Sequence, residues 1–327
     1  MSSSTAVSAA REGVAAPGTP RRPRGPRTHS STNRRTTIAW LLTPAGIIIV
    51  ALVVVPIAFL VFTSFTDYDQ RSLFTGEFSF TSLQQYGQMF ADPDFWWAIV
   101  RTLLFTAAMV GGSVFAGMAV SQMLAKLGSV MRYVVTVALI LAWAVPNVAS
   151  SQIWNWLFQP GYGVMNWLLT QLHVFGDMTN TNWSQNAFLA YLMIWLLIVW
   201  QAVPFIALTL YAAQSQVDPA YFEAARLDGA SEWRIYWTVT LNFLKPTLLL
   251  MTVLSIIWDF NVFNQIWLIS AGGPNNATAT LGVWAYKVAF VGHSLGYGAA
   301  ISVVAAFMLM GISAFYIRSL VRSGEDL

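Results

Sequence analysis

An all-α integral membrane protein with six spans is the fold class this sequence predicts, and three features predict it. Hydrophobic residues make up 56% of the chain and charged residues only 9%, where a water-facing domain carries about a quarter charged residues. Six apolar stretches, residues 38–62, 102–125, 133–158, 187–211, 246–270 and 295–317, reach the roughly 20 residues a helix needs to cross a bilayer core. The third feature is the one-sided placement of Lys and Arg. With the N-terminus in the cytoplasm, all 17 of them except Arg71, Arg101 and Lys287 fall on the cytoplasmic side, which is the bias that orients membrane proteins.

Residues 1–35 are rich in Ser, Pro, Thr and Arg with almost no large apolar side chain. They are expected to be a disordered basic tail whose arginines suit anionic lipid rather than nucleic acid. The first stretch is too long for a signal-peptide core, and Phe62-Thr63-Ser64-Phe65 after it lacks a small-residue cleavage pattern. It is therefore expected to remain as the first span of a membrane domain covering 36–320. Six spans return the short tail 321–327 to the cytoplasm.

The outer loop 64–96 is acidic, with Asp67, Asp69, Glu77, Asp92 and Asp94 against Arg71, and a short helix is expected near 83–90. The third span carries Asn147, Ser150, Ser151, Gln152, Trp154, Asn155 and Trp156. Pro160-Gly161-Tyr162-Gly163 marks a turn, and 164–174 is expected at the interface. In the fourth span Trp200-Gln201 precedes Pro204, whose missing N–H is expected to kink the helix. The fifth span is interrupted only by Asp259. Gly272-Gly273-Pro274-Asn275-Asn276 then forms a second turn, and 277–290 is expected as an amphipathic surface helix.

Between the fourth and fifth spans, in a cytoplasmic loop of about 216–245, Asp218-Pro219-Ala220-Tyr221-Phe222-Glu223-Ala224-Ala225-Arg226-Leu227-Asp228-Gly229-Ala230-Ser231 reads as a capped helix. Asp218 suits the N-cap, Pro219 the first turn and Gly229 the left-handed closing position. Ser231 caps a following helix with Glu232 in its first turn. Small Ala224 and Ala225 permit close approach to a groove, and Glu223 and Arg226 supply charge. The alternative is a plain connector in which Glu223 and Arg226 pair on a solvated face.

At 100° per residue, Trp258, Asn261, Asn264 and Gln265 share one face of the fifth span, and Asp259 lies on another. With Asn147, Gln152, Asn155 and Gln201 they form a candidate solute path. An aromatic face beside amides that both donate and accept suits a hydroxyl-rich solute. The alternative is helix-packing glue, the role favoured for Asp259. No Lys or Arg lies well inside a span, which argues against an anionic solute. Cysteine is absent, and His29, His173 and His293 are scattered, so no metal site, cofactor or enzymatic constellation is expected. A phosphate-binding loop needs Gly-Lys-Ser/Thr, and neither Lys126, Lys245 nor Lys287 follows glycine. Any ATPase must be another chain.

Glu223-Ala224-Ala225, Gly229, Leu241 and Pro246 resemble the signature loop of permease subunits in binding-protein-dependent, ATP-driven importers. The sugar branch of that family is similar at Leu42-Thr43-Pro44, Pro56 and Ser64-Phe65-Thr66-Asp67-Tyr68. Trp156-Leu157-Phe158-Gln159-Pro160, Tyr162-Gly163 and Asn166-Trp167-Leu168 also resemble it. So do Phe263-Asn264-Gln265-Ile266-Trp267, Gly272-Gly273-Pro274 and Gly296-Tyr297-Gly298-Ala299-Ala300. The match covers roughly 40–320 and looks most like the partner that comes first in the maltose-type permease pair. Asn242 departs from it, standing where the family usually has proline.

The resemblance implies the type I ABC importer permease fold in a bacterial plasma membrane. It implies a coupling helix with Glu223, Ala224, Asp228 and Gly229 docked in a cytoplasmic ATPase dimer. A second homologous permease, an extracytoplasmic sugar-binding protein and membrane lipid complete the expected partners. A competing reading is a proton-coupled secondary transporter with Asp259 as relay.

Overall fold

The computed structural model describes residues 31–325 except 174. Most of the expected basic tail lies outside the described residues, but helix α1 (Ser31–Ile49) already begins upstream of position 36. The chain divides into two units, one up to Val55 and one from Pro56 onward. In the first, α1 runs into a π-helical turn, Val50–Val54, that buries no residue.

The boundary falls at the start of α2 (Val55–Thr63), which from Pro56 onward belongs to the second unit. Next comes α3 (Gln70–Thr75), where Asp69 accepts the Ser72 N–H at 2.8 Å and Gly76 closes the helix in the left-handed region at φ +71°. That hydrogen bond holds the Asp69 carboxyl below the usual carboxylate range. The expected outer-loop helix is α4 (Gln84–Ala91). A long α5 (Pro93–Lys126) starts at an Asp92 cap and Pro93. It is followed by α6 (Ser129–Trp143), α7 (Asn147–Leu157), α8 (Val164–Gln171) and α9 (Ala187–Gln214). The loop then forms α10 (Pro219–Leu227) and α11 (Glu232–Ile235), which passes through a π-helical turn, Tyr236–Thr240, into α12 (Leu241–Phe260). The chain ends with α13 (Asn264–Ser270), α14 (Leu281–Tyr286) and α15 (Leu295–Glu325).

The core rests on α5 packed against α9. A Cβ on Gly112 would lie 2.5 Å from the Trp195 ring, and one on Gly117 would lie 2.5 Å from Ile206 Cγ2. Without a hydrophobic drive inside lipid, such small-residue contacts are what let helix backbones approach. Trp195 Nε1 donates to Ala108 O at 2.8 Å, and the Leu281 N–H donates to Thr102 Oγ1 at 2.8 Å, tying α9 and the start of α14 to α5. Phe105, Met109, Leu197 and Ile266 form one buried cluster. Met89, Phe95, Phe260 and Ile301 form another.

Among the described residues five helices are long and apolar enough to cross a membrane, and counting α6 with α7 as one broken span gives six. That pair corrects the uninterrupted third span expected over 133–158, because its halves are bent by 99°. Pro146 is the cause. It lacks an N–H, and its ring pushes the residue before it out of the helical region.

The fifth span is also corrected. It breaks after Phe260, so Trp258 and Asn261 do not share a continuous face with Asn264 and Gln265. Asn261 Nδ2 donates to Ile257 O at 2.8 Å, occupying the carbonyl its own N–H would need. That N–H turns to Trp258 O at 3.2 Å, and short polar side chains compete with helices in this way. Pro204, by contrast, lies inside an unbroken α9. The segment expected as a surface helix over 277–290 becomes helical only at Leu281, and it buries Leu281, Val283 and Ala285.

Candidate functional site

The loop helix α10 is built as its sequence predicts. Asp218 Oδ1 accepts the Ala220 N–H at 2.9 Å. At the other end the Gly229 N–H donates to Arg226 O and the Ala230 N–H to Ala225 O, both at 3.0 Å, with Gly229 at φ +77°. These two bonds satisfy carbonyls that a helix end leaves free. Ser231 Oγ accepts the Arg234 N–H at 3.4 Å and starts α11.

Arg226 Nε pairs with Glu232 Oε1 at 2.8 Å, so in place of the Glu223–Arg226 pair of the plain-connector alternative there is a clasp between the two loop helices. The hydrogen bond that Arg226 donates to Glu232 raises the pKa of its guanidinium above the ordinary value. Tyr221 rests on Phe243 with ring centres 5.0 Å apart, anchoring α10 to α12. Glu223, Ala224, Asp228 and Gly229 are exposed and Ala225 is half-buried. Leu227, not singled out from the sequence, is 89% exposed beside them. An apolar side chain therefore stands free next to small and charged ones on this helix. The signal that could have found it is its place on the outward face of a capped amphipathic turn.

The second site lies where α7 and α13, the short helices that follow the two breaks, meet α9. Gln201 is its centre. Gln265 Nε2 donates to Gln201 Oε1 at 3.2 Å, and Gln201 Nε2 donates to Ser150 Oγ at 2.7 Å and to Asn147 Oδ1 at 3.2 Å. Gln265 is buried and Asn147 exposed, so the chain of amides runs from the interior to an open surface. Asn155 Nδ2 donates to Leu268 O at 2.8 Å and ties α7 to α13. Gln152, Asn261 and Asn264 are exposed.

Trp258 is 51% exposed, and its ring lies 5.5 Å from that of Phe205, which stacks on Trp143 at 6.0 Å. The sequence reading missed Trp143 and Phe205. Their signal was proximity to prolines, Trp143 three residues before Pro146 and Phe205 beside Pro204. Aromatic faces next to amides suit an uncharged polyol, as rings cover C–H faces and amides meet hydroxyls in either sense. Asp259 is buried, and its Oδ2 has no hydrogen-bond partner among the described residues. Those residues hold no cluster of three or more His, Cys, Asp or Glu able to bind a metal.

Residues 113–324 match the family described as binding-protein-dependent transport system inner membrane component. The diacetylchitobiose uptake system permease protein DasB of Streptomyces coelicolor is 37% identical over 88% of this chain and 87% of its own length. The sulfoquinovosyl glycerol transport system permease protein SmoG of Agrobacterium fabrum is 32% identical over 85% and 88%. The trehalose/maltose transport system permease protein MalF of Thermococcus litoralis is 29% identical over 75% and 81%. In fold the chain is similar to a chain of a bacterial ABC transporter involved in import of the acidic polysaccharide alginate. The TM-score is 0.75 at 18% identity, covering 89% of this chain and 98% of that one.

Proposed function

This chain belongs to the family of binding-protein-dependent transport system inner membrane components, and we propose that it forms half of the path by which an ATP-driven importer brings a di- or oligosaccharide into a bacterium. The observation that carries this reading is the family match joined to the amide chain of Gln265, Gln201 and Asn147 beside the Trp258–Phe205–Trp143 rings. The relatives named for diacetylchitobiose, sulfoquinovosyl glycerol and trehalose/maltose support a glycoside as the solute.

The working assembly contains a second permease, two copies of an ATPase and an external sugar-binding protein. The membrane domain spans 36–320 six times with both termini in the cytoplasm, α6 and α7 counting as one span. Helix α10 docks in a cleft of the ATPase through Glu223, Ala224, Ala225, Leu227, Asp228 and Gly229. ATP-driven closure of the motors then moves α11 and α12 through the Arg226–Glu232 clasp. This chain supplies binding and motion, and bond breaking belongs to the ATPase.

Affinity purification of this chain from membranes tests the reading. A second permease and an ATPase should co-elute in fixed ratio, and proteoliposomes holding the complex should accumulate sugar only with ATP and the binding protein. Uptake by this chain alone, driven by a proton gradient, would overturn it.

A further inference from the structure

Along α5 runs an open groove of about 570 Å³ whose lining includes Trp97, Arg101, Leu104, Phe105, Tyr191 and Ala277. Tyr191 packs edge-on against Phe105 with ring centres 4.7 Å apart, and its hydroxyl donates to Ala277 O at 2.9 Å. The Tyr191 hydroxyl is thus already satisfied. Arg101 is not. Among the described residues the single ion pair joins Arg226 to Glu232, and the Arg101 guanidinium has neither hydrogen bond nor carboxylate. Leu104, one turn further along, is 67% exposed.

The depth of Arg101 identifies its counterion. Helix α5 has 34 residues, which at 1.5 Å each is about 51 Å. A hydrocarbon core of about 30 Å leaves roughly 10 Å at each end of a centred helix. Arg101 lies about 12 Å from Pro93 along the axis, just inside that edge, from where a long arginine side chain reaches outward to the level of the phospholipid phosphates. Trp97, one turn nearer the helix start, occupies the level that favours interfacial aromatic rings.

We propose that this groove holds one anionic phospholipid, its phosphate on the Arg101 guanidinium and an acyl chain along Leu104 and Ala108. A guanidinium fork matches phosphate oxygens in pairs, and the apolar wall below it suits a hydrocarbon tail. An anionic lipid brings its negative charge to this level by construction, whereas a protein helix would need an acidic residue at that one position. This assignment goes beyond the transport function, and its readouts do not depend on uptake.

Native mass spectrometry of the purified complex with equal phosphatidylglycerol and phosphatidylcholine tests it. The wild type should retain phosphatidylglycerol with a preference of roughly fivefold or more. Arg101→Gln should bring the two lipids to parity, and Arg101→Lys, which keeps the charge but not the fork, should fall between. Parity in the wild type overturns the proposal, as does an unchanged preference in Arg101→Gln. Should Arg101→Gln fail to assemble, photocrosslinking decides, using p-benzoylphenylalanine at Leu104. A lipid adduct supports the site, and an adduct to another polypeptide overturns it.

Discussion

Gly229 and Leu227 sit two residues apart and do different work. At φ +77° Gly229 occupies a backbone region that disfavours any Cβ by about 1 kcal/mol, although the space around it is open. Gly229→Ala should therefore fray the end of α10, read as faster amide exchange over 219–230, and should lower uptake per ATP hydrolysed. Exchange rates matching the wild type would remove the argument.

Leu227 touches little, being 89% exposed. Leu227→Glu should leave the melting temperature of the complex-free chain unchanged and weaken its association with the ATPase. Equal co-elution in a pull-down would show that the side chain does not dock.

Gln201 is the opposite case, a residue made valuable by its partners. Gln201→Leu leaves the buried Gln265 amide without its acceptor, at a cost of about 1–3 kcal/mol. A thermal midpoint equal to the wild type would mean that the amide chain contributes nothing.

Among the elements, the close fit of α5 and α9 sets what each position tolerates. A side chain on Gly117 would meet Ile206 Cγ2 at 2.5 Å, while nothing lies within 4 Å of a Cβ on Gly111. Gly117→Leu should destabilise the chain by about 1–3 kcal/mol through overpacking, and Gly111→Leu should leave the thermal midpoint near the wild-type value. Equal midpoints for the two variants would contradict the packing described.

The broken helices follow the same logic of local conflict. Pro146 cannot continue α6, and Asn261 claims the carbonyl its own N–H requires. Each break starts a short helix, α7 at Asn147 and α13 at Asn264. Half-helices inside membranes are where carriers place solute, because freed backbone groups there are tolerated only against protein or a cavity.

For the whole molecule the decisive contrast is between a chain worked by a foreign ATPase and one worked by protons. Asp259 is buried and makes no hydrogen bond to the amide chain among the described residues, so the proposed path does not call on its carboxyl. Asp259→Asn keeps its shape and should retain ATP-dependent uptake within about twofold of the wild type, a change worth under 1 kcal/mol. Loss of uptake with full ATP hydrolysis would return Asp259 to the mechanism.

Much of this protein is settled by short-range chemistry that the sequence states openly. Runs of apolar residues specify helices because lipid leaves the backbone no other hydrogen-bond partners, and Asp218, Pro219 and Gly229 specify α10 because caps act within a turn of themselves. Asn261 shows the limit, since its amide looks equally fit to meet a solute or to break a helix. Three outcomes needed the folded chain. Gln201 joins residues far apart in sequence, Arg226 chose Glu232 over Glu223, and Arg101 has no hydrogen bond or ion pair among the described residues. Which polar groups meet depends on how helices cross, and crossing is decided by the fit of many side chains at once rather than by any one of them.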